Sequence, residues 1–294
     1  MNASKAIAIL NASSLVTMML SMGLRVSGGE LLASARPARR LVLGLIANFA
    51  LLPAVTLGLL RLFHADPMIA VGFLILASCP GAPVGPPITA IARGDVPWSL
   101  GMMLILAGLS ALLTPALLSL LLPWVAPAND LRVDYWGIIR ILLITQLLPL
   151  ALGLGFRQAA PRWARRLEKP VGLLANVLLL ALVGAIVVTQ FGMLAAIRPR
   201  GWFGMGLLLM ASLGLGWCSG GPDGASRRAL ATTTATRNVA LGLVIVGSNF
   251  AGTPAVTAVV ACGLVSILGA LGFALLLGRL DAIGTERLRV ASSR

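Results

Sequence analysis

The residues best suited to chemistry lie in one polar segment, Thr232-Thr-Thr-Ala-Thr-Arg-Asn-Val-Ala-Leu-Gly242. The segment lies inside a run that is long enough to cross a bilayer, and it places Arg237 far from either membrane surface. A charge at mid-membrane depth costs roughly 2.5–3.5 kcal/mol on insertion scales, so such a residue is functional unless a partner shows it to be structural. A guanidinium can bind a carboxylate or sulfonate through two parallel hydrogen bonds. With Thr233, Thr236 and Asn238 beside it, Arg237 predicts a binding site for an organic anion.

A second unusual segment, Ser78-Cys-Pro-Gly-Ala-Pro-Val-Gly-Pro-Pro-Ile-Thr89, lies in the first half of the chain. A proline inside a helix removes a backbone donor and clashes with the preceding turn, and here four prolines fall within eight residues. In lipid, the freed backbone groups need protein or a water-filled cavity around them. We therefore predict a broken span, with Gly81, Pro83 and Thr89 at a substrate site. The alternatives are a kinked structural helix and a packing face formed by Gly81 and Gly85.

The composition indicates a membrane protein. Of the 294 residues, 58% are hydrophobic and 11% are charged, whereas charged residues make up about 25% of a soluble domain. Continuous apolar runs of about 20 residues match a hydrocarbon core ~30 Å thick and favour helices over the alternating strands of a barrel. The net charge of +14 comes from basic residues scattered through short loops. This distribution lacks the aromatic-basic stripe of nucleic-acid binding, so we expect no nucleic-acid partner.

Catalytic and metal-binding chemistry are disfavoured. The cysteines at positions 79, 218 and 262 lie inside apolar runs without the spacing of metal ligands, so we expect buried free thiols. All nine carboxylates fall in loops or at the ends of spans. The spans therefore lack the acidic residues that a proton relay, a metal site or a hydrolytic base inside the membrane would need. We expect no enzyme activity, no catalytic residue, no metal site and no cofactor.

Nine predicted spans account for the apolar runs. They cover approximately residues 5–24, 41–62, 67–92, 97–122, 135–156, 170–190, 201–219, 227–249 and 254–278. The prediction is an all-α polytopic membrane protein with a single transmembrane transporter domain over residues 1–294. Spans 3 and 8 are expected to be broken and to cross, although span 8 lacks proline and could instead form a continuous helix with an inward polar face.

The order of the spans suggests an inverted repeat. The first repeat covers about 5–123, a linking span about 135–156, and the second repeat about 170–279. Each repeat has four helices with the broken one third, and the single linking span makes the repeats enter the membrane from opposite sides. Interrupted helices in matching positions of two repeats indicate the binding site of a transporter.

The distribution of charge predicts the orientation. With the N-terminus outside, sixteen basic residues fall in cytoplasmic segments and six fall outside. Cytoplasmic loops carry an excess of Lys and Arg, so we predict a multi-pass protein of the cytoplasmic membrane with its N-terminus outside and its C-terminus inside.

Six motifs resemble, in order and spacing, the bile acid:sodium symporter family, which includes bacterial homologues of the apical sodium-dependent bile acid transporter. These motifs are Met18-Met-Leu-Ser-Met-Gly-Leu24, Ile46-Ala-Asn-Phe-Ala-Leu-Leu-Pro53, Cys79-Pro-Gly81, Ala92-Arg-Gly-Asp-Val96, Leu113-Thr-Pro115 and Arg237-Asn-Val-Ala-Leu241. The resemblance implies a panel domain of spans 1, 5 and 6 and a core domain of the other six spans. It also implies transport of organic anions, usually driven by sodium.

The resemblance assigns sodium-binding positions from which this chain departs in its first half. Gly85 and Pro86 stand where the family has Ser and Asn, and neither residue has a side-chain oxygen. Ser99 keeps a family ligand position, but Met103 replaces a Thr. Sodium prefers oxygen ligands, as hard cations do, so these positions imply a degenerate site.

The second half departs in the same way. Thr233 replaces a Glu that the family shares between two sodium sites, Arg237 replaces a Gln, and Asn238 is kept. We therefore predict that Arg237 is a tethered replacement for the ion; the alternative is that it only holds the broken helix together through backbone carbonyls. Asn48 stands where the family has Gln or Asn, and either core packing or cavity lining would suit it.

The predicted function is secondary active transport of small organic anions by alternating access between panel and core, with doubtful sodium coupling. The expected partners are the anion and membrane lipid. The alternative is a membrane sensor or receptor that uses the same fold to bind a ligand without net transport. Saturable binding without counterflow would distinguish this alternative from a transporter.

Overall fold

A computed structural model describes residues 3–35, 38–126, 133–189 and 191–292. Within these ranges the chain forms helices and no strands. The helices are α1 (Ala3–Arg25), α2 (Gly28–Ala35), α3 (Ala38–Ile46), α4 (Leu52–Leu62), α5 (Pro67–Ala77), α6 (Gly85–Ile91), α7 (Val96–Leu121), α8 (Tyr135–Leu142), α9 (Leu148–Ala159), α10 (Pro161–Thr189), α11 (Phe191–Ala195), α12 (Pro199–Ser219), α13 (Gly224–Ala235), α14 (Val239–Asn249) and α15 (Pro254–Ser292). Outside the described residues lie Gln190, the predicted end of span 6, and four residues used in the charge assignment: Arg36, Asp130, Arg132 and Arg294.

The spans agree with the predicted all-α membrane architecture. Eight helical segments of the described chain are long and apolar enough to cross a membrane, and the shorter α5 joins α6 to make the broken third span. Two helices extend beyond the predicted bounds, α10 beginning at Pro161 instead of 170 and α15 reaching Ser292 instead of 278. Both extensions are rich in charged residues that form helix readily in water, so the apolar pattern does not detect them.

Three helices form one packed group. Helix α1 packs along both α9 and α10, which makes a bundle of spans 1, 5 and 6. The α1–α9 contact is close because glycines face it: a Cβ on Gly23 would lie 2.7 Å from the backbone nitrogen of Leu154, and one on Gly153 would lie 2.9 Å from the Cα of Gly23. Small residues let helix backbones approach each other in this way in membranes.

The remaining spans surround the two broken ones. The chain is not helical between Ala77 and Gly85, nor between Ala235 and Val239, so both predicted breaks are confirmed and a continuous span 8 is wrong. The breaks meet, because the backbone N–H of Asn238 donates to the carbonyl of Cys79 at 2.9 Å. Gly81 adopts φ +85°, where other residues are strained, and its Cα faces α7.

Four aspartates at the ends of spans cap helices. Asp66, Asp95, Asp134 and Asp223 precede α5, α7, α8 and α13, and each accepts a hydrogen bond from a backbone N–H of the first turn. A carboxylate there satisfies an orphan donor and complements the positive end of the helix dipole. Thus these carboxylates fix where helices begin at the membrane surfaces.

The burial of the cysteines is confirmed at two of three positions. Cys79 and Cys262 are buried, but Cys218 is exposed, so the prediction is wrong there. Cys218 continues an exposed stripe of α12 with Met210 and Gly214 at four-residue spacing. An apolar helix of a membrane protein can turn such a stripe to lipid, which the sequence pattern alone does not distinguish from a buried face.

Candidate functional site

The break of span 8 places Arg237 in the wall of a small cavity. The residue is 4% exposed, and none of its three guanidinium nitrogens has a hydrogen-bond partner among the described residues. Asn238, Pro83, Leu243, Gly263 and Leu264 share the wall, as do side chains of α1 and α10. The cavity is therefore apolar apart from one free cation and one amide.

The backbone around Arg237 explains why its side chain lies in the cavity wall. Helix α13 ends at Ala235, and Asn238 caps α14 by accepting a hydrogen bond from the N–H of Leu241 at 3.1 Å. The Asn238 amide nitrogen Nδ2 is buried without a partner in the described chain. Arg237 thus lies between two helix ends, next to a second unused donor.

No carboxylate neutralises this guanidinium within the described residues. The ion pairs found there join Arg25 to Glu168 at 3.8 Å and Arg228 to Asp281, both at span ends. An isolated buried charge is strongly unfavourable unless it is paired or hydrogen bonded. The site therefore favours an anion as the missing partner.

The cavity is small and lies between two groups of helices. About 50 Å³ of it admits the centre of a water molecule, which is below the 300–1,000 Å³ common for ligand sites. Met18 of α1 and Leu179 and Val183 of α10 form one side, and residues of α14 and α15 form another. An anion bound at Arg237 would therefore lie between these two groups of helices.

A buried hydroxyl cluster joins α6 and α13, which belong to the two broken spans, to the start of α7. It consists of Thr89, Ser99, Thr232 and Thr233, all 0% exposed. Thr89 Oγ1 lies 2.9 Å from Ser99 Oγ and 2.6 Å from Thr232 Oγ1, and Ser99 Oγ lies 2.8 Å from Thr233 Oγ1. Thr89 Oγ1 also lies 3.0 Å from the Gly85 carbonyl oxygen, and Thr232 Oγ1 lies 2.9 Å from that of Arg228. Because each hydroxyl has one proton, one of the two donates to its carbonyl while the other donates across their 2.6 Å contact. These hydroxyls satisfy one another.

The sequence-predicted residues therefore separate into two sets. Only Arg237, Asn238 and Pro83 belong to the wall of the cavity. Gly81 packs against Ala107, whereas Thr236 donates to the Thr232 carbonyl at 2.9 Å. Gly85 faces Thr236, with 3.3 Å from a Cβ position to the Thr236 oxygen. Thr89, Ser99 and Thr233 lie in the hydroxyl cluster, Pro86 and Met103 are buried in α6 and α7, and Asn48 lies in span 2.

Asn48 connects span 2 to span 8. Its Nδ2 donates to the Gly44 carbonyl at 2.9 Å and to Thr234 Oγ1 at 3.1 Å, while its Oδ1 has no partner in the described chain. It belongs to a π-helical turn, Ala47–Leu51, just before Pro53. Proline cannot donate to the preceding turn, and the wider turn accommodates it. Asn48 lies outside the Arg237 cavity wall, which favours its packing role.

Sequence reasoning missed Gln146, which has the same environment in span 5. It lies in a π-helical turn, Leu143–Leu147, ahead of Pro149, and is 0% exposed. Its Nε2 donates to the Ala107 carbonyl and to Ser110 Oγ at 2.7 Å, and its Oε1 has no partner among the described residues. An amide shortly before a proline inside an apolar span, as at Asn48, is the signal that could have identified it.

Comparison with known proteins identifies relatives with a transport function in their names. A family model described as the sodium bile acid symporter family matches residues 12–197. An uncharacterized sodium-dependent transporter of Bacillus subtilis is 29% identical over 102 residues, covering 35% of this chain and 32% of the relative. The hepatic sodium/bile acid cotransporter of Rattus norvegicus is 26% identical over 261 residues, covering 84% and 69%. A sodium-dependent organic anion transporter of Bos taurus is 26% identical over 178 residues, covering 60% and 47%.

The matches differ in extent. The chain spans between about a third and about two thirds of the length of these relatives. The family-model match includes the break of span 3 but ends before Arg237. It nevertheless covers more than half of the chain, and it agrees with the resemblance of the six motifs. The chain belongs to the sodium bile acid symporter family.

Proposed function

We propose that this protein is a secondary active transporter of small organic anions that works by alternating access. The observation that carries the proposal is the unpartnered guanidinium of Arg237, 4% exposed, at the meeting point of two broken membrane spans. A carboxylate or sulfonate would form two charge-assisted hydrogen bonds with it. The amide Nδ2 of Asn238 supplies a further donor on the same wall.

The position of the cavity supports a mechanism of alternating access. One side of it belongs to the bundle of spans 1, 5 and 6, and the other belongs to the spans around the breaks. Sliding or rocking of one group against the other would open the cavity to one membrane surface at a time while Arg237 stays near its centre. The present small volume corresponds to a closed arrangement of the two groups.

We propose further that transport does not require sodium, unlike the activity named for the relatives. The family resemblance places one sodium ion in the region of the hydroxyl cluster, where the hydroxyls already form hydrogen bonds with one another. Thr233 also provides no carboxylate there. An ion would have to displace hydrogen bonds between Thr89, Ser99 and Thr233. The fixed charge of Arg237 takes over the role of a bound cation toward the substrate.

Counterflow in proteoliposomes tests these proposals. Preloaded vesicles are screened against a set of carboxylates and sulfonates, with sodium or with potassium outside. We expect counterflow for at least one anion, at equal rates in the two salts. Saturable binding without counterflow would favour the sensor function instead, and strict dependence on sodium would contradict the replacement of the ion.

Arg237→Gln restores the residue that the family resemblance gives for this position. Removing a charge-assisted contact is worth about 1.5–3 kcal/mol, so we expect anion affinity to fall roughly 10- to 100-fold. The matched control is Arg162→Gln on the exposed surface of α10, which should leave affinity unchanged. Wild-type affinity in the Arg237 variant, with lowered stability, would make Arg237 a structural residue.

A further inference from the structure

A second, larger cavity lies away from Arg237, at the ends of spans 2, 3, 7 and 9. Its volume is about 700 Å³, within the range of 300–1,000 Å³ common for ligand sites. The walls are mostly apolar and include Leu60 of α4, Phe73 of α5, Met205 and Leu208 of α12 and Ala258 of α15. We call this cavity the α5–α12 groove.

Basic side chains gather on one rim of the groove. Arg198 and Arg200, both exposed, lie at the start of α12, and neither forms an ion pair within the described chain. Arg200 stacks over Phe63 with 5.6 Å from its guanidinium carbon to the ring centre. The rim also contains His64 and one acid, Asp66, whose Oδ1 caps α5 by accepting from the Met68 N–H at 2.9 Å. The rim therefore keeps an excess of positive charge.

This excess is unusual for its side of the protein. The charge rule assigns only six basic residues to that side, and Arg198 and Arg200 are two of them. A third, Arg61, follows the wall residue Leu60 and stacks on Trp124, an aromatic residue of the kind that anchors membrane interfaces. Three of the six basic residues predicted for this surface thus lie on the groove or next to one of its wall residues.

The groove has an exposed apolar side and is separate from the Arg237 cavity. Ile69 and Met193 line it and are 39% and 42% exposed, so its side wall is open and apolar. The two cavities share no wall residue: α15 turns Ala258 and Ala261 to the groove, but Val260 and Gly263 to the Arg237 cavity. A ligand that fits the groove therefore has an apolar chain, an anionic head at the membrane surface and lateral access.

We propose that the α5–α12 groove binds an anionic phospholipid of the surrounding leaflet. The acyl chain lies between α5, α12 and α15, and the head phosphate lies against Arg198 and Arg200. Arginine suits this role because its planar guanidinium matches phosphate geometry with two donors. The site is separate from the substrate site and does not depend on the proposed function.

Native mass spectrometry of the purified full chain tests the proposal, using dioleoylphosphatidylglycerol and dioleoylphosphatidylcholine. The two lipids share their acyl chains and differ in net head charge. We expect the wild type to retain one phosphatidylglycerol preferentially. The double variant Arg198→Gln/Arg200→Gln should lose affinity for it on the order of tenfold. A control, Arg162→Gln/Arg165→Gln, removes two exposed arginines of α10 and should not change retention.

A second variant separates the chain-binding part of the groove from its charge. Gly204 lines the groove, and a Cβ there meets nothing within 4 Å, so the side chain of Gly204→Leu begins in open space and adds apolar bulk to the wall. It should lower retention of phosphatidylglycerol at least severalfold while both arginines remain. Equal retention of the two lipids by the wild type would overturn the proposal. Unchanged phosphatidylglycerol binding in both groove variants would also overturn it. A third contrary result would be that sub-micellar decyl sulfate displaces the lipid and is itself transported, because the groove would then be an entrance for substrate.

Discussion

At the scale of single residues, the wall of the central cavity carries one unpartnered guanidinium and one unpartnered amide nitrogen among the described residues. Arg237 has no partner in the described chain, whereas Asn238 uses its Oδ1 to cap α14 and leaves Nδ2 free. The threonines beside them have their own partners in the hydroxyl cluster or in backbone carbonyls. Consequently, Asn238→Ala should weaken both the cap of α14 and the binding of the anion, whereas Thr233→Ala should mainly reduce the stability of the protein.

Asn238→Asp separates capping from binding. The carboxylate keeps an acceptor for the Leu241 N–H, and the backbone bond from residue 238 to Cys79 is unaffected. It also places a negative charge beside Arg237, where it competes with the substrate. We expect a melting temperature no lower than that of the wild type, and anion affinity reduced at least tenfold, on the order of one charge-assisted contact.

The control for this prediction is Asn238→Ala, which removes the cap and should cost about 1 kcal/mol of stability. Melting curves and equilibrium binding of the same transported anion would be measured for both variants. Undiminished anion binding by Asn238→Asp would show that residue 238 does not face the bound anion.

At the scale of helices, glycines set how closely the packed spans approach. Gly23 of α1 and Gly153 of α9 bring the two backbones together, and an added methyl group at Gly23 meets the backbone of α9 on all sides. Backbone atoms do not move aside as the end of a flexible side chain would. This contact therefore holds α1 closely against α9 within the bundle of spans 1, 5 and 6.

Gly23→Ala should destabilise that bundle. Overpacking in a close-packed interior typically costs about 1–3 kcal/mol, which would appear as a lower melting temperature in detergent. Gly155→Ala on α9 is the matched control because a Cβ at Gly155 meets nothing within 4 Å. Equal melting temperatures for the two variants would rule out close contact between α1 and α9.

The acid-dependent stability of α13 is a second prediction at this scale. The backbone N–H of Ser226 donates to Asp223 at 2.9 Å and holds the pKa of this carboxyl below its ordinary value of 3.8. A lowered folded-state pKa gives a stabilisation that is present above the ordinary value and is lost as the pH falls through the folded-state value. Asp223→Asn should keep the cap but lose this part of the pH dependence. Identical acid melting profiles for wild type and variant would contradict it.

At the scale of the whole molecule, the distribution of basic residues predicts the orientation in the membrane. Reporter fusions after Leu122 and after Lys169 should report the outside and the inside, respectively, because sixteen basic residues fall on one predicted side and six on the other. The reverse pattern would overturn the assignment of inside and outside to all nine spans. It would also move the α5–α12 groove to the other leaflet.

Sequence alone predicted the features that depend on local physics. The length of apolar runs predicted the spans, because a helix must cover the hydrocarbon core. Four prolines predicted the break of span 3, because proline removes backbone donors wherever it lies. The threonines of span 8 predicted its break, since they are weak helix formers whose hydroxyls compete for backbone hydrogen bonds. These effects act within a few residues and need no knowledge of neighbours.

Only the tertiary structure decided which of these groups meet. It placed Thr89, Ser99 and Thr233 in one closed cluster and left Arg237 alone in a separate cavity, a division that depends on which helix faces pack together. It also brought Gln146 to α7, where its side chain donates a hydrogen bond to Ser110, 36 residues earlier in the chain. The sequence around a hydroxyl or amide in an apolar run looks the same whether a neighbour forms hydrogen bonds with the group or a cavity leaves it open. Packing alone therefore decides the role of the group.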